Sequence, residues 1–455
     1  MEYARHETRY RHEAEEERKH PLWNRVFEWK LRSRQAALIF LAAIVVPTLV
    51  LTFETGRIVL AQTLGDSFNP QSIKRAIALD PANPDPHFEL GKIVLLTGNP
   101  EQQVAAEEQF RTAIELNRNV APYWSALAAA CYAIANQACA DDAFERAQAL
   151  APSNPTYAWQ AAVNDVVSNQ PQAAIRNVKT FLRLQPDGLT QSFQLLTRGF
   201  DNPELVWHDL LGSAADTPTQ IKFLEFLAAA NRAEAADAFW RGMAAQKKAV
   251  SIAEVTPYVD QLLAGGHYPE AADVWSYTRT QRSTNYADAL SDPNLVFNGS
   301  FERTPLNAGF DWRHAQQPYV DLNFSDPMAR SGRQALKVDF TVPQNAEYDL
   351  LYQFVPVEAN HTYELSAFFK SQGITSDSGP RLRVLDPHCQ ACLDVATDGM
   401  TGTSDWRRLD KKFATGPTTD MIRLSLWRPR SRSYPTEITG QLWMDDVSLV
   451  KVDQP

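Results

Sequence analysis

The chain has 455 residues, 44% of them hydrophobic and 22% charged, a composition that excludes an intrinsically disordered protein and suits two or three folded domains. Its formal charge of -10 argues against a nucleic-acid binder, which needs concentrated positive charge. Residues 1–34 are very polar, mixing Glu, Arg and His, with Trp23, Phe27 and Trp29 placed to anchor at a membrane interface. Gln35–Phe53 then runs nineteen residues without a formal charge, enough at helical rise to cross a hydrocarbon core. Pro47 inside it is a residue that membrane helices tolerate better than soluble ones. A transmembrane helix is predicted over 35–56. Arg25, Lys30, Arg32 and Arg34 precede the span and Arg57 alone follows closely, so the positive-inside rule puts the N-terminus in the cytoplasm. A cleaved signal peptide is the competing reading, opposed by the long polar lead and the want of a clean A-x-A site.

GDSFN at Gly65–Asn69 resembles the nucleophile block of GDSL-type hydrolases, but a membrane helix stands where a buried strand should, and no convincing Asp-x-x-His block follows. From 57 to 281 the chain reads as helical and repetitive. Ala121–Pro152 carries Trp124, Leu127, Ala128, Ala140, Phe144, Ala147 and Pro152. Small residues let paired helices approach, large ones fill between repeats, and the proline stops the second helix. A closing leucine recurs at Leu79, Leu116, Leu150 and Leu184, at intervals of 37, 34 and 34 residues. This pattern resembles the tetratricopeptide repeat, specifically over 69–186 and weakly to 281. EAAD at Glu234–Asp237 and again at Glu270–Asp273 marks the weaker part. The resemblance implies a concave groove for a protein partner and no chemistry of its own.

Residues 282–293 read as a linker. From 294 to 455 the texture changes to alternating stretches such as ALKVDF, TYELSAFFK and MIRLSLW, the pattern of an antiparallel sandwich. The block Asn298–Glu302, the turn-strand Ser331–Val338 and the closing Trp443–Leu449 resemble the jelly-roll carbohydrate-binding modules, a galactose-binding-like sandwich. The expected fold class is therefore a multidomain, membrane-anchored chain: a single transmembrane helix, an all-α tetratricopeptide-type solenoid, then an all-β jelly-roll sandwich.

Strand alternation puts Trp443, Asp445, Val447 and Leu449 on one face of the last strand. The resemblance implies that Asp445 shares a structural Ca2+ with Glu302; satisfaction of Asp445 by hydrogen bonds is the alternative. Alternation also gathers Trp427, Arg423, Arg381, Arg383, Asp349, Gln353 and Phe368 as a candidate glycan face, where a sugar would stack on the indole and pair with the planar polar groups. With Arg428, Arg430 and Arg432 the cluster would favour an acidic polymer. An ordinary solvated face is the competing reading. Cys389 and Cys392 in one loop, and Cys131 and Cys139 across a helix turn, are candidate disulfide pairs. The layout fits a single-pass protein of a bacterial inner (cytoplasmic) membrane with its bulk in the periplasm. It would serve as a non-catalytic scaffold, recruiting a protein partner and contacting a glycan in exopolysaccharide or envelope-polysaccharide biosynthesis or export; a purely structural protein–protein scaffold is the alternative.

Overall fold

The computed structural model describes residues 33–97, 100–212, 215–280 and 293–452, so most of the tail 1–34 and of the linker 282–293 lies outside the described residues. The chain forms two compact units, Met1–Tyr157 and Ala158–Pro455.

In the first unit, α1 (Arg34–Gly65) runs unbroken for 32 residues, roughly 48 Å at 1.5 Å per residue. The Ser33 hydroxyl caps it, accepting from the Ala36 N–H at 3.1 Å. It is long and apolar enough to cross a membrane, and its most apolar window is wholly exposed. Thr48 and Thr52 return their hydroxyls to the carbonyls of Ile44 and Thr48 at 2.8 and 2.6 Å, which leaves neither hydroxyl donor unpaired in an apolar medium. The helix does not stop at residue 56. Its last turns belong to the repeats: Arg57 pairs with Glu54 at 2.7 Å and donates to the Leu79 carbonyl, while Ala61 and Gly65 are buried.

The next helices are α2 (Pro70–Leu79), α3 (Pro84–Leu96), α4 (Pro100–Leu116), α5 (Ala121–Ala133) and α6 (Gln137–Leu150). An Asn-Pro pair opens two of them: Asn69 and Asn83 accept from the N–H two residues on, and proline takes the first helical position, where no N–H is needed. Phe110, Ala113, Ala128, Ala140 and Ala147 are fully buried, as the repeat spacing requires. Side chains that small let α5 and α6 pack closely along their length.

The helix α7 (Pro155–Val167) carries the division between the units. The second unit continues with α8 (Pro171–Leu184), α9 (Leu189–Phe200), a π-turn at Leu205–Leu211, α10 (Thr217–Ala229), α11 (Ala233–Ala245), α12 (Ile252–Ala264) and α13 (Tyr268–Thr280). The sandwich follows with β1 (Val320–Asp326), β2 (Ala335–Gln344), β3 (Tyr348–Pro356), β4 (Thr362–Ile374), β5 (Arg381–Leu385), β6 (Asp394–Ala396), β7 (Gly402–Ala414), β8 (Met421–Arg428) and β9 (Ile438–Val452). One sheet has the order β1-β2-β9-β4-β7 and the other β3-β8-β5-β6, with every recorded pairing antiparallel. Between them lies a core built from Trp312, Leu351, Tyr363, Phe369, Leu424 and Met444 among others.

The helices to residue 280 and the sandwich are not separate bodies. Phe297, Phe310 and Met421 share one buried cluster with α8 to α13. Trp275 meets Phe297 edge-on at 5.6 Å and Phe310 at 5.8 Å. Gly309 lies against that indole at φ +57°, where an added Cβ would come within 2.5 Å of the ring. Asp260 accepts from the Gly309 N–H at 2.8 Å and pairs with Arg313, and Tyr268 packs on Phe354 at 5.6 Å. The compact division thus falls inside the repeats, at residue 157, because an aromatic seam closes the junction near 282–293.

One buried acid in this part of the sandwich sets a pH dependence. Asp311 is 1% exposed and accepts from the N–H groups of Leu306 and Trp312 at 2.8 and 2.7 Å. Burial outweighs those bonds and pushes its carboxyl up to about 6. The folded state therefore holds this proton more tightly than the unfolded chain. Its contribution is full below about pH 4 and is lost as pH rises through about 6, a difference of up to roughly 3 kcal/mol for two pKa units. Denaturation midpoints of wild type and Asp311→Asn between pH 4 and pH 7 should show the wild type losing ground toward neutrality relative to the variant. Parallel curves would refute the assignment.

Candidate functional site: the outer face of the four-stranded sheet

The pairing of β3, β8 and β5 sets Trp427 between Asp349 and Arg381, Ser425 between Tyr352 and Arg383, and Arg423 between Phe354 and Leu385. Arg383 forks onto Asp394 through Nε and Nη2 at 2.8 and 2.6 Å, and its guanidinium lies 4.4 Å from the Trp427 ring centre. The indole N–H donates to Glu347 at 2.8 Å. Arg423 pairs with Asp349 and lies 4.1 Å over the Tyr352 ring. The result is a strip of arginine–aromatic stacks whose charges are met from within. The Asp394 carboxylate holds the Arg383 guanidinium above its usual range, and Arg383 holds Asp394 below its own. Arg381 has its pKa lowered by burial and donates to the Gly379 carbonyl at 3.2 Å. Asp349 Oδ1 is buried without a hydrogen-bond partner among the described residues.

Three expected members of the face lie elsewhere. Gln353 is fully buried and clasps Phe297, accepting from its N–H and donating to its carbonyl, both at 2.8 Å. A bulge in β3 between Asp349 and Leu351 is the cause: one extra residue reverses the alternation, turning Gln353 inward and Tyr352 and Phe354 outward. Phe368 sits in the other sheet, 3.5 Å beneath the guanidinium of Arg330. Arg428 is fully buried rather than presented to a ligand. Arg430 and Arg432 are exposed but follow the strand, in the loop that leads to β9. Tyr352, Glu347 and Asp394 complete the strip and were not predicted.

The acids proposed as metal ligands close on one turn from two sides. Glu302 accepts from the N–H groups of Arg333 and Gln334 at 2.6 and 3.2 Å and from Arg333 Nε at 3.4 Å. Asp445, fully buried, accepts from the N–H groups of Arg330, Ser331 and Asp446 at 2.9, 3.2 and 2.8 Å. Gly332 lies under the Glu302 carboxylate at φ +66°, where a Cβ would come within 2.2 Å of Oε1. Burial pushes the Asp445 carboxyl up; at Glu302 burial acts the same way, but the backbone bonds from Arg333 and Gln334 prevail and hold it down. The expected shared face of β9 does not hold: Leu442 and Met444 point into the core before Asp446, whose φ of +49° shifts the register, and Val447 and Leu449 after it. Trp443 and Asp445 therefore lie on the opposite side from the core residues. Each acid uses three of the roughly four acceptor positions of a carboxylate. One acceptor position remains on each.

Between α9 and α10 a cleft of about 500 Å³ is lined by Asp187, Thr190, Gln194, Arg198, Lys222, Glu225 and Phe226, acids and bases around one aromatic. Both cysteine pairs are bridged, Cys131 with Cys139 and Cys389 with Cys392, at Cα separations of 5.7 and 5.3 Å. Asp386 organises the second loop, accepting from the N–H groups of His388 and Cys389 at 2.8 and 3.0 Å. The hydroxyl of Ser67, the serine of GDSFN, donates to the Leu64 carbonyl at 2.7 Å.

A helical-repeat region followed by a β-sandwich is thus the class of protein the fold defines. No known protein family matches the chain, and no curated protein does. Among solved structures it is similar to a CBM4 module (14% identity, 34% of this chain and 99% of that one, TM-score 0.26). It is also similar to MamA (21% identity, 38% and 91%, TM-score 0.30) and to TTC0263, a TPR protein of Thermus thermophilus (14% identity, 38% and 98%, TM-score 0.26).

Proposed function

We propose that this chain is a non-catalytic scaffold anchored in the inner membrane by α1. Its N-terminus would lie in the cytoplasm, and its repeats and sandwich in the periplasm. The repeats recruit a protein partner, the sandwich contacts a glycan, and the assembly serves polysaccharide biosynthesis or export. The observation that carries the reading is α1 itself, an exposed apolar helix that enters the first repeat with no break. A scaffold joined to its anchor in this way holds its partner close to the bilayer. A reporter active only outside the cytoplasm, fused after Pro455, should be active, and the protein should stay with the membranes through a high-salt wash. Release of a shortened soluble chain would instead make α1 a signal sequence.

On the sandwich, Trp427 and Tyr352 support a sugar ligand. The pairing of Arg383 with Asp394 and of Arg423 with Asp349 favours a neutral glycan over an acidic one, because little unmet positive charge is left. Affinity electrophoresis against neutral and acidic polysaccharides should show retardation by a neutral one, unchanged by salt and lost in Trp427→Ala. Salt-sensitive retardation by acidic polymers alone would reverse that preference. The second reading, a protein–protein scaffold that binds no sugar, is favoured by the guanidinium covering one face of Trp427; retardation by nothing in the panel would establish it.

A Ca2+ held by Glu302 and Asp445 belongs to the same proposal. Metal bound only to the folded state stabilises it by mass action. Chelator should lower the melting temperature of the wild type and leave Glu302→Ala and Asp445→Ala unmoved. A wild-type melt indifferent to chelator would leave the backbone N–H bonds as the whole account of both acids.

A further inference from the structure

The first unit holds a group of side chains that anchoring and ligand binding leave unused. Cys131, fully buried, lies near the end of α5, and Cys139, half-buried, lies in the first turn of α6, where Asn136 Oδ1 caps its N–H at 3.3 Å. Arg111 of α4 donates from Nη2 to Cys139 Sγ at 3.3 Å. The same guanidinium is held by Glu107 at 2.8 Å, whose side chain is 16% exposed. The Glu107 carboxylate and both sulfurs lie within 4.8 Å of one another.

The two sulfurs are chemically unequal. The positive end of α6 and the guanidinium both favour negative charge on Cys139, whereas full burial disfavours it on Cys131. That asymmetry, an accessible stabilised thiolate beside a buried partner, is what thiol–disulfide exchange requires. Arg111 already occupies the place between Glu107 and Cys139 that a metal ion would need.

We propose that the Cys131–Cys139 bridge is an exchange-active disulfide that oxidises a dithiol presented by a partner protein, with Cys139 as the attacked sulfur. The incoming thiolate bonds to Cys139 Sγ as the Cys131–Cys139 bond breaks, and the electron pair leaves on Cys131. The proton given up by the attacking thiol reaches Cys131 by way of the Glu107 carboxylate. The second thiol of the dithiol then attacks the first sulfur of the same dithiol in the mixed disulfide, breaking its bond to Cys139. It releases its proton to solvent and frees Cys139 as a thiolate beside Arg111. Two electrons pass from the dithiol to the repeat, and the dithiol leaves as a disulfide. Arg111 is a positioning residue in this scheme, and Glu107 is the proton carrier.

The full chain in detergent, reduced with dithiothreitol without denaturant, desalted and pulse-alkylated from pH 5 to 9, reads the asymmetry by peptide mass. The bridge should open under these native conditions. Cys139 should then alkylate at least about tenfold faster than Cys131 at pH 7. Arg111→Met should move the Cys139 profile up by about one pH unit, and Arg111→Lys should restore most of the shift. Cys131→Ser should trap oxidised glutathione as a mixed disulfide on Cys139, whereas Cys139→Ser should trap none. Should the methionine variant fail to fold, the lysine variant and the trapping pair carry the test. Opening only in denaturant, equal alkylation of the two cysteines, a profile unmoved in a folded Arg111→Met protein, or equal trapping by both serine variants would each overturn the proposal.

Discussion

Replacing Arg428 by methionine is expected to cost about 3–5 kcal/mol, the order for taking the centre out of a buried hydrogen-bond network and leaving several acceptors unpaired. Arg428 is fully buried and faces no carboxylate at bonding distance among its recorded partners. Its Nε donates to the Ser378 carbonyl at 3.1 Å, Nη1 to Asn345 Oδ1 and the Ala346 carbonyl at 3.1 and 2.6 Å, and Nη2 to Ser376 Oγ and the Thr436 carbonyl at 3.1 and 2.9 Å. Burial outweighs the opposing influence of Tyr348 and Asp377 and lowers the guanidinium below its usual value, yet all five of its donors are used. The side chain thus ties three segments together: the approach to β3, the β4–β5 loop and the β8–β9 loop. Methionine fills part of the space but leaves three half-buried carbonyls and the Ser376 hydroxyl without their donor, and each unpaired polar group costs about 1–3 kcal/mol where water cannot reach it. Lysine keeps the charge but has three donors on a mobile stem and cannot reproduce the fork, so Arg428→Lys should fall between. Thermal melts of the detergent-solubilised chain check this. A methionine variant that melts within a degree of wild type would mean that water satisfies those carbonyls.

The sequence shows the repeats and the sandwich because both rest on local rules. Asn-Pro openings, small residues at Ala128 and Ala140 and closing leucines recur within one helical hairpin, and alternation over ALKVDF or MIRLSLW needs only neighbours along a strand. The candidate site depends on non-local features. The bulge at Asp349–Leu351 inverts Gln353 and Tyr352, and Asp446 at positive φ separates Asp445 from Val447; neither insertion is marked by a glycine. Partner choice is less legible still. Arg423 and Asp349 stand 74 positions apart, and nothing local distinguishes an arginine that will be neutralised from one left to a ligand. Arg428, one residue past a half-exposed tryptophan, reads as surface until the loops that bury it are in place. The sequence does carry one non-local signal. The helices before the linker end in Tyr268, Trp275 and Tyr277, and the sandwich begins with Phe297, Phe301 and Phe310. That much aromatic surface on both sides of a short connection points to contact across it.

That seam is where a second large effect is expected. Trp275→Ala should cost about 3–5 kcal/mol, the range for deleting a buried aromatic, and should also divide one unfolding transition into two. Trp275 is 4% exposed, and its ring is the surface on which Phe297, Phe310 and Gly309 meet α13. The indole N–H has no acceptor among the described residues, so the loss on truncation is one of packing with no hydrogen bond to discount. The polar ties beside it are weaker. Asp260 with Arg313 is a half-buried pair that still reaches water, and its net contribution is smaller than that of the packed ring. Without the indole, the helices from 158 to 280 and the sandwich keep their own cores but lose the element that makes them unfold together. Calorimetry on the solubilised chain should then show the sandwich and the helices melting apart. Phe297→Ala should produce the same separation, and the double variant should lose less than the two single losses combined, because both remove one contact. A single transition retained in Trp275→Ala, or strictly additive losses in the double variant, would locate the coupling in the Asp260–Arg313 and Tyr268–Phe354 contacts instead.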